Sequence, residues 1–258
     1  LGRDAIAERQ IKILKDEGVD VSGIKFTGDA ESGQAYILID DEGRNFINTL
    51  FGANLELKPE DLRCERILGL LRDSSIIVLI DPILETLMAA ASIAKEYGKI
   101  VMWDAGVRST LGAEKLKEIL RNVDYLVINE VEVKNLTGKT NPLEAWRILS
   151  EINQQITLIL KLGGRGCSMI SRRIIVSVPP VNLEELGLKV VNTVGCGDSF
   201  LGAFAASKAQ GLDDIESLER ANLAGALKAT RPETRGSPSK EIFERYLRFR
   251  AKARIIRR

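Results

Sequence analysis

Residues 75–104 read SIIVLIDPILETLMAAASIAKEYGKIVMWD. Two apolar runs of strand length, SIIVLI at 75–80 and KIVMWD at 99–104, flank a segment at 84–97 that has the length and composition of a helix. Apolar strands separated by helices of this length are typical of a parallel sheet whose two faces are both covered. The stretch therefore predicts a strand–helix–strand unit of an α/β protein.

The same alternation continues on both sides of this unit. Downstream, further elements are predicted in this order: helix 112–121, strand 125–129, helix 142–153, strand 157–163, hairpin 168–178, and helices 199–211 and 214–230. Upstream, residues 5–17 have helical apolar spacing, and residues 34–50 predict a strand, a turn and a strand. Since no repeat or low-complexity linker interrupts the chain, we expect one α/β domain over residues 1–258.

Polar or glycine residues stand where the predicted strands end. These residues are Asp81, Asp104, Asn129 and the pair Gly163-Gly164. Ligands of parallel α/β sheets bind beyond the carboxyl ends of the strands. The sequence therefore predicts the functional site at this edge of the sheet.

The composition excludes several kinds of chemistry. The 258 residues contain no His, which rules out Ser-His-Asp and Cys-His nucleophile systems and every His-ligated metal site. Lys and Arg number 37 and Asp and Glu 36, so the net charge of +1 provides no global field for nucleic acid or an anionic membrane. Catalysis must then depend on carboxylates, amides, Lys, Arg, Cys or a bound cofactor.

The spacing of the cysteines and the length of the apolar runs indicate the cellular compartment of the protein. Cys64, Cys167 and Cys196 are far apart, so neither a disulfide framework nor a zinc site is indicated. The opening residues 1–10 lack the apolar centre of a signal peptide, and no apolar run approaches the length of a membrane span. We expect a cytoplasmic protein.

Residues 192–202 read NTVGCGDSFLG and lead directly into an apolar helix. Two glycines around Cys196 at the start of a helix let main-chain N–H groups converge on an anion, which the helix dipole also favours. Asp198 lies in the same first turn, where a carboxylate can either cap the helix or act as a base. An anion hole beside a carboxylate base is what phosphoryl transfer to a hydroxyl needs.

The segment resembles the motif D-T-x-G-A-G-D-x-F of the ribokinase-like, PfkB-type kinases of sugars and nucleosides. Five other parts of the chain resemble the family in the same order: residues 18–54, the middle strands at 80–99 and 103–108, NEVEVKNLTG at 129–138, KLGGRG at 161–166 and ANLAGALKATRP at 221–232. The resemblance implies a three-layer αβα sandwich with a mainly parallel central sheet and a small β lid, to which residues 30–54 contribute. It begins near residues 2–4, which implies that the family's N-terminal strand is missing from this chain.

The resemblance also implies roles for individual residues. Asp198 would be the general base and touch the substrate, and the main-chain N–H groups of Gly195, Cys196 and Gly197 would hold the γ-phosphoryl group. Asp81 would contact a substrate hydroxyl, although an Asp before Pro82 also suits a plain turn. The residues expected along the nucleotide are Asn129, Lys161, Leu162, Gly163, Gly164, Arg165, Gly166 and Asn222.

Some of these residues have simpler interpretations. Asn129 and Glu132, one helical turn apart, could hold Mg²⁺ through water or be a helix cap followed by a surface Glu. The glycines of 161–166 could form a tight turn between strands, and Asn222 could cap a helix.

The chain departs from the family pattern around residue 192. Asn192 replaces the usual Asp, and Glu233 stands where the family has Gly, which leaves a monovalent cation site at this loop open. Cys196 replaces Ala, and its thiol has either a lowered pKa at the helix start or the role of a small buried side chain.

The sequence therefore predicts a carbohydrate or nucleoside kinase that uses ATP and Mg²⁺. The alternative is a degenerate nucleotide- or sugar-binding protein of the same fold. A homodimer through the lid is expected, with neither membrane nor nucleic acid as a partner. The basic residues 245–258 are interpreted as a solvated helix end, with an RNA-binding arm as the alternative.

Overall fold

The structure, a computed structural model, describes residues 1–39, 45–80 and 83–257. Its strands are β1 Gln34–Ile39, β2 Asn45–Leu50, β3 Ile76–Ile80, β4 Ile100–Asp104, β5 Tyr125–Asn129, β6 Thr157–Lys161, β7 Cys167–Ile170, β8 Ile174–Val178 and β9 Arg254–Arg257. Its α-helices are α1 Ala5–Asp16, α2 Glu65–Asp73, α3 Leu84–Glu96, α4 Lys117–Leu120, α5 Glu130–Thr137, α6 Pro142–Ile152, α7 Cys196–Ala209, α8 Asp214–Ala229 and α9 Lys240–Tyr246. The strands and most of the helices predicted from the sequence are confirmed.

The chain forms two compact units. Leu1–Ser74 with Pro82–Tyr97 make up the first, and Ser75–Asp81 with Gly98–Arg258 the second. In the first unit, β1 and β2 form a separate antiparallel pair in which Leu38 lies opposite Phe46. The turn predicted between these two strands lies outside the described residues.

The second unit contains a seven-stranded sheet in the order β3-β4-β5-β6-β7-β8-β9. Neighbours from β3 to β6 are parallel, and those from β6 to β9 are antiparallel. The chain first reverses direction between β6 and β7, where Gly166 has a φ of +87°. The carboxyl ends of β4, β5 and β6 therefore lie side by side.

Both faces of this sheet are covered, because buried side chains alternate along each strand. Met102, Val127 and Ile159 pack with Phe200 and Phe204 of α7 and with residues of α8. Their neighbours in sequence are also buried and point to the opposite face, and α5 and α6 contact strands β5 to β7 without entering this cluster. The second unit is thus a three-layer αβα sandwich.

The helix predicted at 112–121 is shorter than expected. Gly106–Leu111 form a 3₁₀ turn, and only Lys117–Leu120 are α-helical. The turn ends at Gly112, whose φ of +79° and ψ of 155° are incompatible with a helix. The apolar spacing of this segment therefore predicted a longer helix than its backbone permits.

The interpretation of residues 245–258 as a helix end is wrong. The helix ends at Tyr246, and β9 then pairs antiparallel with β8 at the edge of the sheet. Arg250 and Lys252 both reach Glu219, a carboxylate that is only 7% exposed, at 3.1 and 3.0 Å. Because the Ala253 N–H also donates to this carboxylate, the basic segment is attached to α8.

Candidate active site

Three polar side chains meet at the carboxyl edge of the parallel strands. Asp104, Asn129 and Lys161 end β4, β5 and β6, and Asn129 lies in register with Lys161. Lys161 Nζ lies 2.6 Å from Asp104 Oδ2, and the two side chains are only 16% and 14% exposed. Such a shielded ion pair is stronger than a surface pair, so it fixes the Lys161 ammonium at the end of the sheet.

The start of α7 lies beside this ion pair. Gly195 precedes the helix with a φ of +86°, and a Cβ atom there would lie 2.4 Å from Thr234 O. Only glycine combines this φ with such a close approach of the main chain. The tight turn at Gly195 therefore depends on the absence of a side chain.

The main-chain N–H groups of this turn are not equivalent. The Cys196 N–H donates to Thr193 O at 3.2 Å, and the Ser199 N–H makes the first helical bond, to Gly195 O. The N–H groups of Gly195, Gly197 and Asp198 have no partner in the part of the chain that the structure describes. These three donors at a helix start provide the preferred position for an anion.

Lys161 lies against the same turn. A Cβ atom at Gly197 would come within 3.3 Å of Lys161 Nζ, so the ammonium and the open N–H groups lie within one small region. Both provide positive potential. This arrangement suits a phosphoryl group, because charge that develops during its transfer would be stabilised without rearrangement of the protein.

Asp198 is exposed at the mouth of this region. Its side chain makes no hydrogen bond with the described residues, which removes the interpretation as a helix cap. Desolvation raises the pKa of Asp198 above its ordinary value, the charge of Asp104 raises it further, and Lys161 lowers it. A carboxyl group with a raised pKa and no partner is suited to accept a proton.

Cys196 behaves as a small, half-buried side chain. Burial raises the pKa of its thiol, Lys228 acts in the lowering direction and Asp198 raises it again. Of the two interpretations of Cys196, this favours the small buried side chain over a thiol of lowered pKa, because desolvation outweighs the nearby ammonium.

Asn129 and Glu132 form a capping box. Asn129 Oδ1 accepts from the Glu132 N–H at 2.9 Å, and Glu132 Oε2 accepts from the Asn129 N–H at 2.8 Å. These bonds fix the start of α5 at the strand end. Within the described ranges, no group of three or more His, Cys, Asp or Glu side chains could hold a metal ion.

The predicted nucleotide loop follows β6. Lys161 ends the strand, Leu162, Gly163, Gly164 and Arg165 form an exposed turn, and the Leu162 N–H closes it by donating to Gly166 O. Arg165 forms an ion pair with Glu130, at the start of α5. The chain then enters β7. The loop is therefore a tight turn between β6 and β7, and its residues Gly163, Gly164 and Arg165 are exposed.

Two further predicted residues have different surroundings. Asn222 lies in the middle of α8, and its Nδ2 donates to Pro179 O at 2.9 Å, so it does not cap a helix. Asp81 lies outside the described residues.

The side chain of Asn192, in the loop where a monovalent cation site was considered, makes two hydrogen bonds within the protein. Asn192 Nδ2 donates to Pro232 O at 2.8 Å, and Asn192 Oδ1 accepts from the Val194 N–H at 3.0 Å. Glu233 is exposed.

Lys228 was not predicted as a site residue. It is a fully buried lysine of α8 whose Nζ donates to Asn192 O at 2.9 Å. A signal was present, because a lysine between Leu227 and Ala229 stands inside the otherwise apolar stretch LAGALKA.

None of the described helices has both the length and the apolarity that a membrane span needs.

Comparisons with known proteins give a consistent result. The sequence model described as pfkB family carbohydrate kinase matches residues 1–241. The bifunctional ribokinase/ribose-5-phosphate isomerase A of Fructilactobacillus sanfranciscensis is 29% identical over 220 residues, which cover 83% of this chain and 39% of that protein. Fructokinase-1 of Oryza sativa subsp. japonica is 28% identical over 255 residues, which cover 90% of this chain and 75% of the relative. The structure of Arabidopsis thaliana ribokinase complexed with ribose and ATP matches with a TM-score of 0.81 at 25% identity, over 96% of this chain and 80% of that one.

Proposed function

Because the matched residues 1–241 cover nearly the whole chain, it belongs to the pfkB family of carbohydrate kinases, and we propose that it transfers the γ-phosphoryl group of ATP to a hydroxymethyl group of a sugar. Its fold is ribokinase-like, as the resemblance predicted. One observation supports the proposed activity most strongly: open N–H groups, the Lys161 ammonium and the Asp198 carboxylate converge at the carboxyl edge of the sheet.

The proposed step is an in-line displacement. The acceptor hydroxyl oxygen forms a bond to the γ-phosphorus while the bond from that phosphorus to the bridging oxygen breaks, and ADP leaves. Asp198 accepts the hydroxyl proton, and the Gly195 and Gly197 N–H groups stabilise the charge on the transferring phosphoryl oxygens. Cys196 would contribute mainly through the shape of the turn, since its N–H already donates to Thr193 O.

The residues proposed to bind ATP line one edge of the sheet. The open face of the 162–165 turn would lie along the phosphates, Lys161 would neutralise part of their charge, and Asn222 would lie near the adenine. Mg²⁺ would neutralise further phosphate charge. Asn129 and Glu132 would hold this ion through water, because their capping box already uses Asn129 Oδ1 and Glu132 Oε2, and Mg²⁺ commonly keeps several waters.

The acceptor class is a sugar or a nucleoside. The named relatives are ribokinases and fructokinases, so pentoses and hexoses are the first candidates. Asp81 remains the residue predicted to contact an acceptor hydroxyl.

Sugar-dependent ADP release tests the proposed function. We expect turnover with at least one member of a panel of pentoses, hexoses and nucleosides, measured by a coupled assay with ATP and Mg²⁺. The alternative, a binding protein without turnover, predicts ATP binding by calorimetry and no acceptor-dependent ADP release with any member of the panel.

The pH dependence of turnover reports the pKa of Asp198. Since the base acts as a carboxylate, activity is lost as the pH falls through its pKa, and the raised pKa places this loss above the ordinary value of 3.8. Removing the charge of Asp104 in Asp104→Asn should move the acidic limb of kcat/KM to lower pH. Removing the ammonium in Lys161→Met should move it to higher pH. Shifts in the same direction for both variants would contradict the assignment of Asp198 as the base.

We also propose that the β1–β2 pair is the dimer contact. Leu38 and Phe46 lie opposite each other, on the face that Tyr36 and Leu50 share, and these four side chains are 53% to 67% exposed. An exposed apolar face of this kind is typical of an interaction surface, and an identical face on a second copy can cover it symmetrically.

Charge on this face should prevent the association. Sedimentation equilibrium of the wild type should give twice the chain mass of 28.4 kDa, and Phe46→Asp should give a single chain mass. Thr49→Asp places the same charge on the opposite face of β2 and should leave the dimer intact. A wild type of single mass, or dissociation by both variants, would contradict the proposed contact.

A further inference from the structure

Lys228 is a buried cation that has no role in the reaction step proposed above. The residue is 0% exposed, and no carboxylate of the described part of the chain forms an ion pair with it. A buried charge without an opposite charge is unfavourable unless dipoles compensate it. Lys228 lies in the last turn of α8, where the helix dipole favours a cation.

The Lys228 ammonium lies close to the anion-binding turn. Lys228 Nζ donates to Asn192 O at 2.9 Å, and its Cε would be 3.5 Å from a Cβ atom at Gly195. The same charge acts on the Cys196 thiol, where it lowers the pKa against the effect of burial. The positive charge is therefore placed near Gly195 and Cys196, in the turn that is proposed to bind the phosphoryl group.

Protein donors occupy three of the carbonyl groups around this turn. Ala229 O accepts from the Val191 and Asn192 N–H groups, Pro232 O accepts from Asn192 Nδ2, and Asn192 O accepts from Lys228 Nζ. A monovalent cation that used these oxygens as ligands would compete with their donors, and the nearby ammonium would repel it at short range.

We propose that Lys228 is an internal cation that positions and charges the phosphoryl-binding turn, and that it makes the reaction independent of an added monovalent cation. The inference rests on the proposed function. Asn192 cooperates in this role, because its amide occupies Pro232 O and its carbonyl receives the ammonium. Lys228 acts through the turn and does not contact the substrate.

Monovalent cation dependence tests the inference. Sugar-dependent ADP release by the wild type should be equal in potassium chloride and in tetramethylammonium chloride at the same ionic strength. Lys228→Met should lower kcat by at least about tenfold in tetramethylammonium, because the turn loses both its charge and its anchor. Potassium should restore part of this loss, which a merely structural role of the lysine would not produce.

Lys208→Met is the matched control. Lys208 Nζ also donates to a main-chain oxygen, Leu212 O at 3.0 Å, near the end of α7, and unlike Lys228 it also pairs with a carboxylate, Asp214 at 2.8 Å. This variant should keep the kcat of the wild type and its indifference to potassium.

The outcomes separate the two proposals. A wild type that is active only with potassium, or a Lys228→Met variant with unchanged kcat, overturns the role of Lys228 alone. A wild type without sugar-dependent ADP release overturns the proposed function. ATP binding by calorimetry then decides the role of Lys228. The inference predicts that potassium leaves the ATP affinity of the wild type unchanged and that Lys228→Met binds ATP more weakly than the wild type. Equal ATP affinities of the wild type and Lys228→Met would overturn it.

Discussion

Asp198→Asn is expected to lower kcat by about 10²- to 10⁴-fold, the range found when a general base is removed. Asparagine has nearly the same shape but does not accept the hydroxyl proton. Because Asp198 makes no hydrogen bond with the described residues, the fold loses no hydrogen bond. ATP affinity should be unchanged or higher, since one negative charge near the phosphates is removed. Stopped-flow or steady-state assays and calorimetry on the same sample measure both quantities.

Asp213→Ala provides a control for a carboxylate that caps a helix. Asp213 caps α8 by accepting from the Glu216 N–H at 2.8 Å. Its removal should lower the free energy of unfolding by about 0.5–2 kcal/mol and leave kcat unchanged. If Asp198→Asn instead lost stability and kept its turnover, the assignment of Asp198 as the base would be wrong.

Gly195→Ala is expected to have the second large effect, a loss of about 10²- to 10³-fold in kcat, as for removal of an oxyanion-hole donor. The φ of +86° disfavours alanine, and the added Cβ atom would overlap Thr234 O. The turn must therefore move, and the N–H groups of Gly195 and Gly197 lose their alignment. Steady-state kinetics with thermal unfolding measures the loss and shows whether the fold persists.

Gly202→Ala is the matched control on the same helix. A Cβ atom there meets no atom within 4 Å, and alanine is the better helix former. The expected result is a slightly more stable protein with unchanged kcat. Equal activity of Gly195→Ala and Gly202→Ala would show that the turn does not bind the phosphoryl group.

The sequence predicted the parallel part of the sheet well because its strands are buried on both faces. Tyr125–Asn129 coincides with its predicted bounds, and the apolar runs at 75–80 and 99–104 each contain the strand found there. The edge strand Arg254–Arg257 was not predicted, because its basic residues suit a solvated segment in a single sequence. Its place is fixed by pairing with β8 and by ion pairs to Glu219, which are contacts distant in sequence.

The candidate site was predicted from its glycines and Asp198. At a helix start, glycines leave main-chain N–H groups open to an anion, and a carboxylate either caps the helix or acts as a base. Two features of the site could not be predicted from the motif, because they depend on hydrogen bonds that the motif does not specify. These are the bond from the Cys196 N–H to Thr193 O and the capping box of Asn129 and Glu132. Lys228 was missed because helical spacing places it on an apolar face, where its partner, the carbonyl of Asn192, lies 36 residues away in the chain.

Identification of the reaction product tests the central claim most directly. Wild-type protein is incubated with ATP, Mg²⁺ and the sugar panel, and the mixture is followed by ³¹P NMR spectroscopy. The proposed function predicts that the γ-phosphate signal of ATP is replaced by ADP signals and by the signal of a sugar phosphomonoester, and that Asp198→Asn greatly slows this replacement. Release of inorganic phosphate alone, or an unchanged spectrum with every acceptor, would contradict it.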